Sequence, residues 1–215
     1  MIDMTRRDFL TASLAGSAVL GLAGTTGSVA VAVDFTKPVP EASRLSAYQN
    51  GPLVILRWHD MPFLTYRAHA TQKYPYFYPL TGPLSGMPLV AESALPYPHH
   101  RGLWLGLDPL NGGNYWSDGP LEEGQIRSVK LELGESTETS AVFTDRCDWV
   151  REGAPSPLED ARTFNVTVPD ERTRLLDVRL VLTAREDIEV KSAKHSLFAL
   201  RAAADISPIY GGVLM

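Results

Sequence analysis

From Leu45 onward apolar and polar residues alternate with a period close to two, the pattern of strands that bury one face and wet the other. The alternation is strict in Val129-Lys130-Leu131-Glu132-Leu133 and recurs at Leu176, Val178, Leu180 and Leu182, with Asp177 and Arg179 between them. This second run is predicted to pair with Phe164 to Val168 across the turn Pro169-Asp170-Glu171-Arg172. Leu53 to Trp58 and Phe63 to Arg67 flank His59-Asp60-Met61-Pro62 and read as a hairpin. Ala141 to Trp149 and Ser196 to Ala202 are further strand candidates. Leu197 to Ala204 is the best competitor for a helix, but no segment has a sustained helical stripe capped at both ends. The fold class expected is all-β, an antiparallel β-sandwich. Residues 72–125 break the alternation with crowded Pro, Gly, Tyr and Trp, as a binding surface does.

The N-terminus has a different pattern. Thr5-Arg6-Arg7-Asp8-Phe9-Leu10 precedes an uncharged stretch from Phe9 past Val33 that is rich in Gly, Ala, Ser and Thr. That order is the twin-arginine export signal, and its weak apolarity suits a signal better than an anchor. Ala30-Val31-Ala32 supplies small residues for a signal peptidase, and the alternative is an uncleaved anchor. The organisation expected is therefore a signal peptide over 1–32, a linker over 33–50 and a β-sandwich domain over 51–215. The predicted location is periplasmic or secreted, the translocase is a partner during export, and no stable membrane span is left after cleavage. The apolar run Gly211 to Met215 reads as a strand lacking its neighbour, so a C-terminally truncated fragment is expected.

Composition narrows the function. The net charge is −5 with no block of Lys or Arg, which argues against nucleic-acid binding. Cys147 is the only cysteine, so the domain has no internal disulfide and rests on its core. Its surroundings offer no nucleophile triad, and no pair of carboxylates has the spacing of a two-carboxylate glycosidase.

The candidate chemistry gathers in Tyr97-Pro98-His99-His100-Arg101-Gly102-Leu103-Trp104-Leu105-Gly106 and Asn111-Gly112-Gly113-Asn114-Tyr115-Trp116. If residues 99–106 are extended, His100 and Trp104 share a face with Gly102 and Gly106, and His99, Arg101 and Leu103 take the other. Trp104 then floors a shallow site, His100 reaches ligand hydroxyls, and Arg101 holds an anionic group. Adjacent histidines on opposite faces weaken a metal reading, which a loop would restore if His195 or Asp108 joined. Tyr76 and Tyr78 form a second aromatic group, read equally well as edge packing. His195 is a candidate general acid or base, or a solvated loop residue.

Several blocks carry a family resemblance: Tyr76-Phe77-Tyr78-Pro79-Leu80 with Gly82-Pro83, Pro98-His99-His100-Arg101-Gly102-Leu103-Trp104, Asn111-Gly112, Tyr115-Trp116, and His195 to Arg201 with Gly211-Gly212. Together they resemble the bacterial PmoA-like family, labelled "methane oxygenase PmoA". The resemblance implies an exported β-sandwich, frequently encoded near sugar-catabolic enzymes, and most members continue well beyond the equivalent of Met215. Methane oxidation is not expected, because beyond the signal no apolar run approaches the ~20 residues a membrane helix needs. Relatives often carry further histidines where this chain has Tyr97 and Leu107, which makes a histidine metal cage harder to build here.

The leading expectation is a carbohydrate-active or sugar-binding protein, with a galactose-mutarotase-like supersandwich as the finer architecture. Its catalytic candidates are His100, His195 and Arg101, and its substrate contacts are His99, Trp104, Asn111, Trp116, Tyr76 and Tyr78. His100 and His195 would exchange protons at a hydroxyl or ring oxygen while Arg101 steadies negative charge. A non-catalytic sugar-binding or assembly module and a metal-dependent oxygenase are the alternatives, and no cofactor is specified.

Overall fold

The computed structural model describes residues 44–93, 95–117, 119–191, 197–208 and 211–212. The expected signal peptide, most of the assigned linker, His195 and the last three residues lie outside them. The described residues all belong to one compact unit.

Among the described residues ten strands make two antiparallel sheets facing each other. The first has six strands in the order β1 (Leu45–Asn50), β2 (Leu53–Trp58), β3 (Met61–Arg67), β4 (Tyr76–Leu80), β5 (Leu103–Gly106) and β10 (Leu197–Leu200). The second runs β6 (Gln125–Ser136), β7 (Ser140–Val150), β8 (Leu158–Asp170) and β9 (Thr173–Ala184) as a meander. Only short 3-10 turns interrupt this all-β pattern among the described residues, and no described helix is long and apolar enough to cross a membrane.

Burial follows the alternation. In β2 every second residue is buried, and β7 and β8 repeat the pattern. Val54, Leu56, Leu64, Tyr66 and Phe77 of the first sheet pack in one core with Phe143, Phe164 and Val166 of the second. Phe143 and Phe164 stack with centroids 4.7 Å apart, and Tyr66 meets them at 5.5 and 4.9 Å. Each such side chain contributes on the order of 1.5–3 kcal/mol of burial. The predicted hairpins are present, with β3 extended back to Met61 and a His59-Asp60 turn in which both residues have positive φ.

One boundary differs. β1 lies inside the 33–50 stretch assigned to the linker, pairing with β2 from Leu45↔Trp58 to Asn50↔Leu53. Its residues Ser46, Tyr48, Gln49 and Asn50 look loop-like because an edge strand needs only one well-buried anchor, here Leu45.

A polar network sits between the sheets. Arg162 of β8 donates from Nε and Nη2 to Asp160 at 2.6 and 2.9 Å, and Trp149 Nε1 donates to the same carboxylate at 2.7 Å. Tyr66, reaching over from β3, donates to Asp145 Oδ2 at 2.8 Å and accepts from Arg162 Nη1 at 3.3 Å. Ser128 donates to Asp145 Oδ1 at 2.6 Å, and the Cys147 thiol donates to Oδ2 at 3.4 Å. Cys147 is buried, and burial drives its thiol far above the ordinary range, which keeps it inert.

Removing the Tyr66 hydroxyl deprives Asp145 and Arg162 of a buried partner. Tyr66→Phe is therefore expected to lose about 1–3 kcal/mol in denaturant unfolding, and an unchanged midpoint would contradict the network. Burial also raises the Asp145 carboxyl above its ordinary 3.8, with the Ser128 hydrogen bond opposing. The folded state thus holds this proton more tightly than the unfolded chain. The group's favourable share is complete below pH 3.8 and is lost as pH rises through the raised folded value. Asp145→Asn is expected to flatten the stability curve across that interval, as read from urea midpoints at stepped pH.

Candidate functional site

β4 and β5 pair through Tyr76↔Trp104 and Phe77↔Leu103, which sets the sequence-predicted groups side by side at one end of the first sheet. The segment before β5 turns instead of extending. His100 N donates to Tyr97 O at 3.0 Å, and Gly102 adopts φ +59° with no room for a side chain: a Cβ there would sit 1.8 Å from Phe77 O. This turn overturns the extended reading for residues 99–102, while Leu103–Gly106 are extended as β5. His99 and His100 do not point to opposite faces; their rings meet edge to face at 4.4 Å.

The turn still delivers His100 to Trp104. Their rings lie 5.2 Å apart, Tyr97 stacks on His100 at 5.1 Å, and Trp116 meets it edge-on at 6.3 Å. Both indoles are buried, Trp104 2% exposed and Trp116 3%. The predicted shallow floor is absent because backbone fills the space its glycines leave: Phe77 O closes on Gly102, and a Cβ on Gly106 would lie 2.6 Å from Tyr115 O. The indoles form the wall behind His100, with Tyr74 stacked on Trp104 at 6.0 Å and its hydroxyl donating to His99 O. The surface in front consists of half-buried His99, His100 and Arg101 with exposed Tyr97.

Beside this turn lies a charged group. Tyr76 is buried and donates to the Glu92 carboxylate, Gln72 Nε2 donates to the Tyr76 oxygen at 3.1 Å, and Arg67 Nη1 lies 3.5 Å from Glu92 Oε2. Burial, reinforced by Glu92, pushes the Tyr76 phenol up to about 12. Arg67 also donates from Nε to Tyr78 O at 2.7 Å and covers the half-buried Tyr78 ring at 5.2 Å, while Arg101 stands 6.0 Å from the Tyr76 ring. Glu92 and Arg101 form a backbone bridge. Neither Arg67 nor Glu92 belongs to a motif, and a lone carboxylate in a loop gives no sequence signal; the bridge to Arg101 is what brings Glu92 in.

Asn111 goes elsewhere. Its Nδ2 donates to Glu186 Oε1 at 2.7 Å and Asp187 O at 3.0 Å, and Glu189 N donates to its Oδ1 at 2.7 Å. Its amide is thus committed to fastening residues 186–189. His195 lies outside the described residues. Among the described residues no group of three or more His, Cys, Asp or Glu is placed to hold a metal ion, and Asp108 accepts from Ser117 Oγ at 3.3 Å.

Half-buried imidazoles in an aromatic enclosure, next to a guanidinium, can hydrogen-bond ligand hydroxyls and move protons, and Arg101 offers a fork for an oxyanion. The arrangement hangs on Gly102. Gly102→Ala adds left-handed strain of about 1–2 kcal/mol to the clash with Phe77 O, and a melting temperature lowered by several degrees is expected in calorimetry.

No curated protein and no solved structure matches the chain. Residues 54–214 match a family described as a family of unknown function, DUF6807. That span takes in the His99-His100-Arg101 turn and strands of both sheets, and the chain belongs to this family.

Proposed function

We propose that this protein is exported by the twin-arginine route and acts on or binds a carbohydrate in the periplasm or outside the cell, as the resemblance to PmoA-like proteins implies. The observation that carries the reading is His100, half-buried against Tyr97, Trp104 and Trp116 and flanked in sequence by His99 and Arg101. Sugars present hydroxyl arrays and apolar C–H faces, which suit imidazole and guanidinium donors set among rings. With the indoles buried, ligand contact falls to Tyr97, His99, His100 and Arg101, and Trp104 and Trp116 act by holding the imidazole. In the catalytic version His100 exchanges a proton with a sugar hydroxyl or ring oxygen, His195 is its partner, and Arg101 steadies developing negative charge.

A thermal-shift screen of neutral sugars and sugar acids tests this. At least one is expected to raise the melting temperature in a saturable way, and the shift is expected to fall in Arg101→Ala. Binding that survives His100→Ala while sugar conversion stops identifies an enzyme, whereas binding without conversion by the unaltered protein identifies a non-catalytic sugar-binding module. No response to any sugar defeats both. In cells, replacing Arg6 and Arg7 together with Lys is expected to retain the protein in the cytoplasm on fractionation.

A further inference from the structure

The two edges of the second sheet are built differently. β6 has two register shifts against β7 and carries Lys130, Glu132 and Glu135. Gln49 of β1 lies along it: Gln49 Nε2 donates to Leu131 O at 2.9 Å, and Leu133 N donates to Gln49 Oε1 at 3.0 Å. Bulges, charges and a cover are the devices that keep a sheet edge from pairing further. β9, the opposite edge, holds its register with β8 without a shift from Leu175 to Ala184 and contains no proline there. Among the described residues no backbone hydrogen bond joins this stretch to anything but β8. Its charges, Asp177 and Arg179, are one of each sign.

The side chains along this edge complement a second copy of themselves. Leu175, Asp177, Arg179 and Val181 share the outer face of the sheet, with Leu175 48% exposed and Val181 45%. Leu176, Val178 and Leu180 share the face that packs on the core, yet each is only half-buried. Phe198 of β10, 46% exposed, lines one crevice with Val178 and Leu180. In β8, uncharged Asn165 and Thr163 stand opposite Asp177 and Arg179, and among the described residues neither charge enters an ion pair. An antiparallel copy of the strand, laid on this edge with Val178 opposite Val178, sets Asp177 of each copy opposite Arg179 of the other. Leu175 then meets Val181, and Leu176 meets Leu180. Moving the copy by two residues sets Asp177 against Asp177 or Arg179 against Arg179, and moving it by one sets a core face beside a wet face.

We propose that two copies of this chain associate edge to edge through β9, about a two-fold axis at Val178, so that one sheet runs through both. Main-chain hydrogen bonds between the two edges supply the adhesion, and the row Leu175, Asp177, Arg179 and Val181 fixes the register. The contact uses the same surface on both copies and therefore closes at a dimer. This inference does not rest on the carbohydrate reading.

Sedimentation equilibrium of the full chain across a dilution series tests this, and the mass is expected to rise with concentration from one chain to two and no further. Asp177→Arg and Arg179→Asp each set like charges opposite one another twice, and each is expected to weaken dimerisation at least about tenfold. Both positions are exposed, and unchanged circular dichroism and melting verify the fold of each variant. Mixing the two variants is expected to restore the dimer, because a doubly positive edge then meets a doubly negative one. Association through any other face would survive both substitutions. A chain that stays monomeric overturns the proposal, and protection of β9 amides from hydrogen exchange in that monomer assigns the edge to another segment of the same chain. Dimers of full affinity in both single variants, or no association on mixing them, overturn it as well.

Discussion

A guanidinium, two carboxylates and a phenol occupy the middle of the sandwich, and their mutual satisfaction restricts how the two sheets can face each other. Asp145 and Arg162 are direct cross-strand partners in the β7–β8 ladder, and Cys147 stands opposite Asp160 in the same register. A slip of one residue in either strand would carry its two members to the wet face and break both pairs. Tyr66 ties this pair of strands to the other sheet, because its one hydroxyl serves both Asp145 and Arg162. Removing any member leaves an unmatched buried charge or donor, costly in a core of low polarity. With no disulfide available, this network and the aromatic core around it hold the layers together.

The same constraint positions the candidate site. With Tyr66 turned inward, the next residue of β3 must turn outward, so Arg67 emerges where it meets Glu92 and covers Tyr78. In β4, Phe77 enters the core while its carbonyl accepts the close approach of Gly102. The turn carrying His99, His100 and Arg101 is thus fastened to strands whose register is set deep inside, and the half-buried imidazoles inherit that rigidity.

Alternation along the chain was enough to read the sandwich, its hairpins and the long meander, because a half-buried strand imposes period two on its own residues. It misplaced the beginning of the domain, since β1 carries a single strong anchor at Leu45. The His-His-Arg-Gly-Leu-Trp block could be picked out as the polar-aromatic centre, yet its shape could not. Whether the glycines leave space for a ligand or for a neighbouring carbonyl depends on Phe77 O and Tyr115 O, and no local pattern records that. Arg67 with Glu92, and Trp58 with Glu171 across 113 positions of sequence, are joined by folding alone. Asn111 misled for a related reason: a turn residue with positive φ and a free amide looks ready for a ligand until residues 186–189 claim it.

The histidine turn is fastened by backbone that is made much later. Ala91 N donates to Arg201 O, Arg201 N to Gly102 O and Ala203 N to Leu89 O, at 2.9, 2.7 and 3.0 Å, while β10 zips against β5 from Leu200↔Leu103 to Leu197↔Gly106. On a ribosome, His99 to Arg101 leave the exit tunnel roughly a hundred residues before the strand that locks them, and contacts of such separation close late. The second sheet, a meander of sequential hairpins, can form in the interval. A nascent chain therefore carries its core before its site, and a protease that clips residues 197–203 would leave the interior network intact while releasing the turn.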